Sequence, residues 1–88
     1  MSIMYPAIFH PLEDGSFEVS FPDFEGCVTT GNTLEEAFFH AREALTLYLD
    51  GVTEFPKTKA SFQGLPKEDL LLIVETLDSK DMIRFNKK

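Results

Sequence analysis

The sequence predicts an α+β fold in which one helix packs on a four-stranded sheet, in the order β-β-β-α-β. Three patterns support it: alternating apolar and polar residues at 17–21, an amphipathic pattern of helical period at 33–50, and a near-continuous apolar run at 70–77. Together they indicate a two-layer domain. The chain has 88 residues, of which 43% are hydrophobic, so it has room for a single core.

A three-stranded meander is predicted for the N-terminal part of the chain. Residues 3–10 (IMYPAIFH) predict the first strand, with Pro6 at an edge position or a bulge because proline cannot donate to a strand ladder. The sequence EDG at 13–15 predicts a hairpin turn, and 17–21 (FEVSF) then alternates like a strand buried on one face. Residues 26–30 (GCVTT) predict a short third strand.

Residues 33–50 give the clearest helical signal. Thr33 and Glu36 have the spacing of a capping box, and Gly51 provides a C-terminal stop. An apolar stripe at helical spacing predicts the face that packs on the sheet. Its members are Leu34, Ala37, Phe38, Ala41, Ala44, Leu45, Tyr48 and Leu49.

Two large apolar residues of this helix lie outside the stripe. Phe39 and Leu47 project about 80° apart on the opposite side, where they flank Glu36 and Glu43. Isolated apolar residues are common on protein surfaces, whereas paired apolar groups among acids resemble an interface. Both interpretations remain open from the sequence.

The last predicted strand is the apolar run at 70–77 (LLLIVETL), which follows a loop at 52–66. A short helix is the alternative, but the β-branched residues favour a strand. Continuous hydrophobicity indicates a strand that is covered on both faces or paired in an interface. After a helix, such a strand can run parallel to an earlier one through a right-handed crossover. We therefore expect one domain at 1–77, followed by a short basic tail at 78–88.

The charge distribution excludes several classes of function. Residues 1–77 contain thirteen acidic and four basic side chains, and the whole chain has a formal net charge of −7. Such a surface repels phosphate backbones, so we expect no nucleic acid bound by this chain alone. The single cysteine, Cys27, forms no internal disulfide, and no signal peptide or membrane-spanning run is present. These features predict a cytoplasmic protein without membrane contact.

The residues that carry chemistry show no catalytic or metal-binding spacing. His10, Cys27 and His40 are scattered and match no zinc or Cys–His pattern, so we expect no metal, no cofactor and no enzymatic activity. Five acids, Glu13, Asp14, Glu18, Asp23 and Glu25, are numerous enough to suggest a two-metal nuclease site. We interpret them as a solvated acidic surface, because most lie on turns and the first strand contains no carboxylate.

The stretch from Tyr5 to Gly51 resembles the N-terminal domain of the HicB-like antitoxin family. The similarity is carried by YPAIF, by the acidic turn EDG, by FEVSFPDFEGCVTTGNTLEEA and by AREALTLYLDG. The resemblance implies a partial RNase H-like fold that has lost its catalytic carboxylates. It also implies binding to HicA, a small basic bacterial toxin that cleaves mRNA through a histidine.

The sequence departs from the family after the last strand. HicB proteins usually carry a C-terminal helix-turn-helix or ribbon-helix-helix domain for operator DNA. Residues 78–88 are too few to form either domain. The resemblance therefore does not imply autorepression by this chain.

The leading functional hypothesis is an antitoxin that neutralises a basic HicA-type toxin by covering its active site. For partner binding, we predict an acidic patch of Glu13, Asp14, Glu18, Asp23 and Glu25. A second candidate surface, for the toxin or for self-association into a homodimer or higher oligomer, contains Glu36, Phe39, Glu43 and Leu47. The alternatives are an RNase H-like nuclease or RNA-binding protein, and an oligomerisation domain without a toxin partner.

Overall fold

A computed structural model describes residues 3–58 and 64–77. Its elements are β1 (Met4–Pro11), β2 (Phe17–Ser20), β3 (Val28–Gly31), α1 (Leu34–Tyr48) and β4 (Leu70–Glu75). The four strands form one antiparallel sheet in the order β3-β2-β1-β4, and α1 packs on one face. The predicted α+β fold and its element order are confirmed. The predicted tail at 78–88 and part of the loop at 52–66 lie outside the described residues.

The core lies between the inner face of the sheet and α1. Alternate residues of each strand point toward the helix, as the sequence pattern predicts. The buried side chains of this cluster are Tyr5, Ala7, Phe9, Val19, Phe21, Phe24, Cys27, Ala37, Ala41, Leu45, Leu49 and Val74. Phe9, Val19, Leu45 and Val74 are the largest that are fully buried. These come from β1, β2, α1 and β4, so a single layer of contacts joins the helix to the sheet.

The helix starts at the predicted capping box. The amide of Glu36 donates to the Thr33 side-chain oxygen at 3.0 Å, and the Glu36 carboxylate accepts from the amide of Asn32 at 2.8 Å. Just before this cap, Gly31 packs against the first turn so closely that a Cβ atom there would lie 2.3 Å from the Ala37 nitrogen. Within the described residues, no helix is long and apolar enough to cross a membrane.

Pro6 does not occupy the predicted edge position or a bulge. It lies in β1, a central strand in continuous register with β4. The amide of Thr76 donates to the carbonyl of Ile3, so odd-numbered residues of β1 direct their backbone groups toward β4. The nitrogen of Pro6 therefore faces β2, whose pairing with β1 begins only at Ile8. Pro6 lies beyond the end of the pairing between β1 and β2, so its missing N–H group leaves no hydrogen bond of the sheet unmade.

β4 runs antiparallel to β1, the strand beside it. The sequence allows β4 to run parallel to an earlier strand through a right-handed crossover, but among the described residues the sheet contains no such parallel pair. The end of α1 lies near the start of β3, because the Tyr48 hydroxyl donates to the carbonyl of Glu25 at 3.1 Å. The end of β4 lies near the same part of α1, where the amide of Leu77 donates to Thr46 Oγ1 at 2.8 Å. The start of β4 therefore lies at the opposite end of the sheet from the end of α1.

Two leucines of α1 provide a matched test of this packing. Leu45 is fully buried, whereas the Leu47 residue is 60% exposed. We expect Leu45→Ala to lower the free energy of unfolding by about 2–5 kcal/mol, because it leaves a cavity between helix and sheet. Leu47→Ala should change it by less than about 0.5 kcal/mol. Urea unfolding followed by circular dichroism measures both, and equal effects would contradict the packing described here.

Candidate functional site

The acidic residues singled out in the sequence lie in three separate places. Glu13 and Asp14 occupy the turn between β1 and β2, where Asp14 Oδ1 accepts a hydrogen bond from the Ser16 amide at 2.9 Å. Hydrogen bonds from the Ser16 hydroxyl and amide hold the pKa of Asp14 below its ordinary value. Glu18 is exposed on the sheet face that points away from the helix.

The remaining two acids lie at the opposite end of β2, in the turn that leads to β3. Asp23 Oδ2 accepts a hydrogen bond from the Thr58 hydroxyl at 2.6 Å, and Glu25 is exposed. The four residues of β2 alone span about 13 Å, which exceeds the screening length of about 8 Å at physiological salt. The acids of the two turns therefore act as separate charged sites.

The second predicted set forms one continuous surface, which we call the outer helix face: Glu36, Phe39, Glu43 and Leu47. Residues four apart on a helix are neighbours, so the positions 39, 43 and 47 form a row. Phe39 is 36% exposed and Leu47 is 60% exposed. Two members of the predicted apolar stripe, Leu34 and Tyr48, are also exposed, at 38% and 43%, so the prediction that the whole stripe packs on the sheet is wrong at these two positions. The outer helix face combines two large apolar groups with two carboxylates and has no basic residue among its four members.

A second apolar surface is the outer sheet face, the side of the sheet that points away from α1. Met4, Val28 and Ile73 each expose more than half of their surface there. The exposure of Ile73 shows that β4 is not covered on both faces within the described residues, which removes one of the two interpretations of its apolar run. The other interpretation, pairing in an interface, stays a prediction.

The structure pairs His10 with Asp69, a contact that sequence reasoning missed. His10 Nδ1 and Asp69 Oδ1 are 2.6 Å apart, and the Asp69 side chain is only 9% exposed. The hydrogen bond with Asp69 raises the pKa of His10, and the charges of Asp69, Glu68 and Glu18 act in the same direction. Among the described residues, His10, Glu68 and Asp69 offer three candidate ligand atoms within 4.8 Å of one another.

Cys27 and His40 have partners of their own, away from His10. Cys27 is buried under α1, where its thiol contacts the carbonyl of Ala44 at 3.9 Å. Burial raises the pKa of the Cys27 thiol to about 11. The His40 ring donates through Nδ1 to the carbonyl of Thr30 at 2.7 Å. Cys27, His10 and His40 therefore make three separate contacts and do not form a common site.

Comparison with known proteins identifies the family. The family described as "HicB_like antitoxin of bacterial toxin-antitoxin system" matches residues 5–70. This range includes β1 from its second residue, β2, β3, the whole of α1 and the first residue of β4. The chain belongs to the HicB-like antitoxin family. The residues that carry the sequence resemblance, from Tyr5 to Gly51, fall inside the matched range.

Relatives of this HicB-like chain include proteins of bacteria and a phage. It is 38% identical over 52 residues to an uncharacterized 14.9 kDa protein of Haemophilus phage HP1 (59% of this chain, 38% of that protein). It is 32% identical over 68 residues to a UPF0150 protein of Synechocystis (77% and 78%). It is 43% identical over 44 residues to antitoxin HicB 1 of Photorhabdus laumondii (50% and 28%). The chain thus spans less than half of the phage protein and of the Photorhabdus antitoxin.

Solved structures confirm the fold. The N-terminal domain of Burkholderia pseudomallei antitoxin HicB superposes with a TM-score of 0.68 at 18% identity, over 86% of this chain and 99% of that domain. A chain from the HicA3 and HicB3 toxin-antitoxin complex gives a TM-score of 0.64 at 24% identity, over 86% and 100%. These HicB-like neighbours share one helix on a four-stranded antiparallel sheet with the chain described here.

The environment of Cys27 predicts an unreactive thiol. A pKa raised from 9.0 to about 11 lowers the thiolate fraction at pH 8 by about a hundredfold. Burial also blocks access, so we expect the native chain to react with a disulfide reagent at least about a hundredfold more slowly than the same chain unfolded in guanidinium. Absorbance of the released thiolate measures both rates, and equal rates would contradict the buried position.

Proposed function

We propose that this chain is an antitoxin that binds a small, basic, HicA-type toxin and neutralises it by covering its active site. The observation that carries the proposal is the outer helix face, on which exposed apolar groups stand among carboxylates in a member of the HicB-like antitoxin family. In this role the chain is a non-enzymatic, cytoplasmic binding protein. Its assembly into a homodimer or higher oligomer stays a prediction.

Charge supports the choice of a basic partner. The chain has a formal net charge of −7, and Arg42 is the only basic residue among its first 56. Arg42 donates to the carbonyl of Glu75 at 2.9 Å, so this cation is engaged in joining α1 to the end of β4. A positively charged toxin would be attracted from a distance, which raises the rate of encounter.

Affinity at contact distance requires apolar groups as well as charge. A few large side chains that become buried usually supply most of the binding energy of an interface. Phe39 and Leu47 are such groups, and Glu36 and Glu43 surround them with charges that favour lysine and arginine on the partner. The outer helix face therefore provides both contributions on one rigid element.

We expect Leu47→Glu and Phe39→Ala each to weaken toxin binding by at least about thirtyfold, because each removes a central apolar contact. The binding partner for the test is the small basic protein encoded beside the gene, in a catalytically inactive form. Biolayer interferometry measures the dissociation constants, and circular dichroism verifies that both variants keep the fold.

The matched control is Val28→Glu, which makes the same kind of change on the outer sheet face at a residue 61% exposed. It should leave toxin binding unchanged if the outer helix face is the contact. Loss of binding in Val28→Glu together with retention in Leu47→Glu would assign the toxin to the outer sheet face. Cleavage of RNA by the chain alone, lost on carboxylate substitution, would instead favour a nuclease.

Electrostatic attraction predicts a salt-dependent association rate. Raising the ionic strength from about 0.05 M to about 0.3 M should slow association with the basic toxin at least several-fold, because added ions screen the attraction. The dissociation rate should change much less, since it depends on contacts that are already formed. Stopped-flow fluorescence separates the two rates, and an association rate independent of salt would contradict electrostatic recognition.

A further inference from the structure

We propose that His10, Glu68 and Asp69 form a binding site for one divalent transition-metal ion of the Zn²⁺ type. The site lies at the end of β1 and the start of β4, away from the outer helix face. The metal-site proposal is independent of the antitoxin proposal, because it uses neither the net charge of the chain nor the outer helix face.

The strand register builds the site. His10 lies directly opposite Glu18 in the pairing of β1 with β2. In the pairing of β1 with β4, Phe9 lies opposite Leu70, so the same register places Asp69 opposite His10. Directly opposed residues share one face of an antiparallel sheet. The backbone therefore holds an imidazole between two carboxylates, and Glu68 adds a third beside them.

The distances are close to those of a coordination sphere. The candidate ligand atoms of His10, Glu68 and Asp69 lie within 4.8 Å of one another, and the closest pair, Nδ1 and Oδ1, is 2.6 Å apart. Ligands at about 2.1 Å from a tetrahedral ion are separated by about 3.4 Å. Binding an ion requires the 2.6 Å pair to move apart to this spacing, and the ion then takes the place of the hydrogen bond between His10 and Asp69.

The mixture of ligands selects the class of ion. One imidazole nitrogen with carboxylate oxygens suits Zn²⁺ and its neighbours in the transition series, whereas Mg²⁺ and Ca²⁺ prefer oxygen ligands alone. The Asp69 side chain is 9% exposed, while the His10 side chain is 41% exposed and is accessible from solution. One buried and two accessible ligands are consistent with a reversible site that takes up an ion from solvent.

Isothermal titration of the full chain with Zn²⁺, after removal of metals by a chelator, tests the proposal. We expect one ion per chain, and no comparable binding of Mg²⁺ at the same concentrations. Glu68→Gln should weaken Zn²⁺ binding by at least about tenfold, and His10→Asn by at least as much. Glu68 is exposed, so its substitution does not threaten the fold.

The matched control is His40→Asn, which removes the other histidine of the chain and leaves the proposed ligands intact. It should bind Zn²⁺ like the unmodified chain, and the ring resonances of His10, but not those of His40, should shift on Zn²⁺ addition in NMR spectra. The proposal is overturned if Zn²⁺ does not bind up to about 1 mM, a free energy of about −4 kcal/mol. It is also overturned if His40→Asn abolishes binding while His10→Asn and Glu68→Gln retain it.

Discussion

The close contact between Gly31 and Ala37 sets the distance between the two layers of the molecule. A Cβ atom at Gly31 would overlap the backbone of the first turn of α1, so the helix rests directly on the end of β3. Ala41 and Leu45, one and two turns later on the same helix face, are fully buried. The position and direction of the helix are therefore fixed, and they determine which of its side chains face the solvent.

This arrangement determines which surfaces remain available for partners. One helix covers one face of the sheet, so the outer sheet face is exposed over the described residues. The middle of the apolar stripe on α1, at Ala37, Ala41 and Leu45, is buried in the core, and Phe39 and Leu47 lie on the solvent side. A small domain of two layers therefore presents two apolar surfaces back to back. The helix carries one and the sheet carries the other, so a substitution can test each separately.

Local patterns were sufficient to predict the elements and their order. The alternation at 17–21 and the capping box at Thr33 depend on residues close in sequence, and both appear in the structure as predicted. Pro6 and the direction of β4 were not predictable in this way. The tolerance of Pro6 depends on where a neighbouring strand stops, and the direction of β4 depends on its pairing with β1, which joins residues far apart in the sequence.

The same distinction applies to the candidate sites. The exposure of Phe39 and Leu47 follows from helical periodicity, so the sequence was enough to predict it. The pairing of His10 with Asp69 joins residues that are 59 positions apart, and it follows only from the register of β1 and β4. The acidic patch at 13–25 was predicted because its five members are close in the sequence. In the fold, β2 lies between the turn that holds Glu13 and Asp14 and the turn that holds Asp23 and Glu25, so the two groups are apart.

The separation of the acidic residues has a consequence for recognition. Charges farther apart than the screening length act on a partner as a diffuse field, which speeds encounter but does not specify an orientation. Orientation requires groups that meet the partner at contact distance on a rigid element. On the outer helix face, Glu36 and Glu43 stand next to exposed apolar groups on α1, which is anchored by its cap and its core contacts. In the proposed function, the net charge of the chain attracts a basic protein, and the outer helix face determines which basic protein fits.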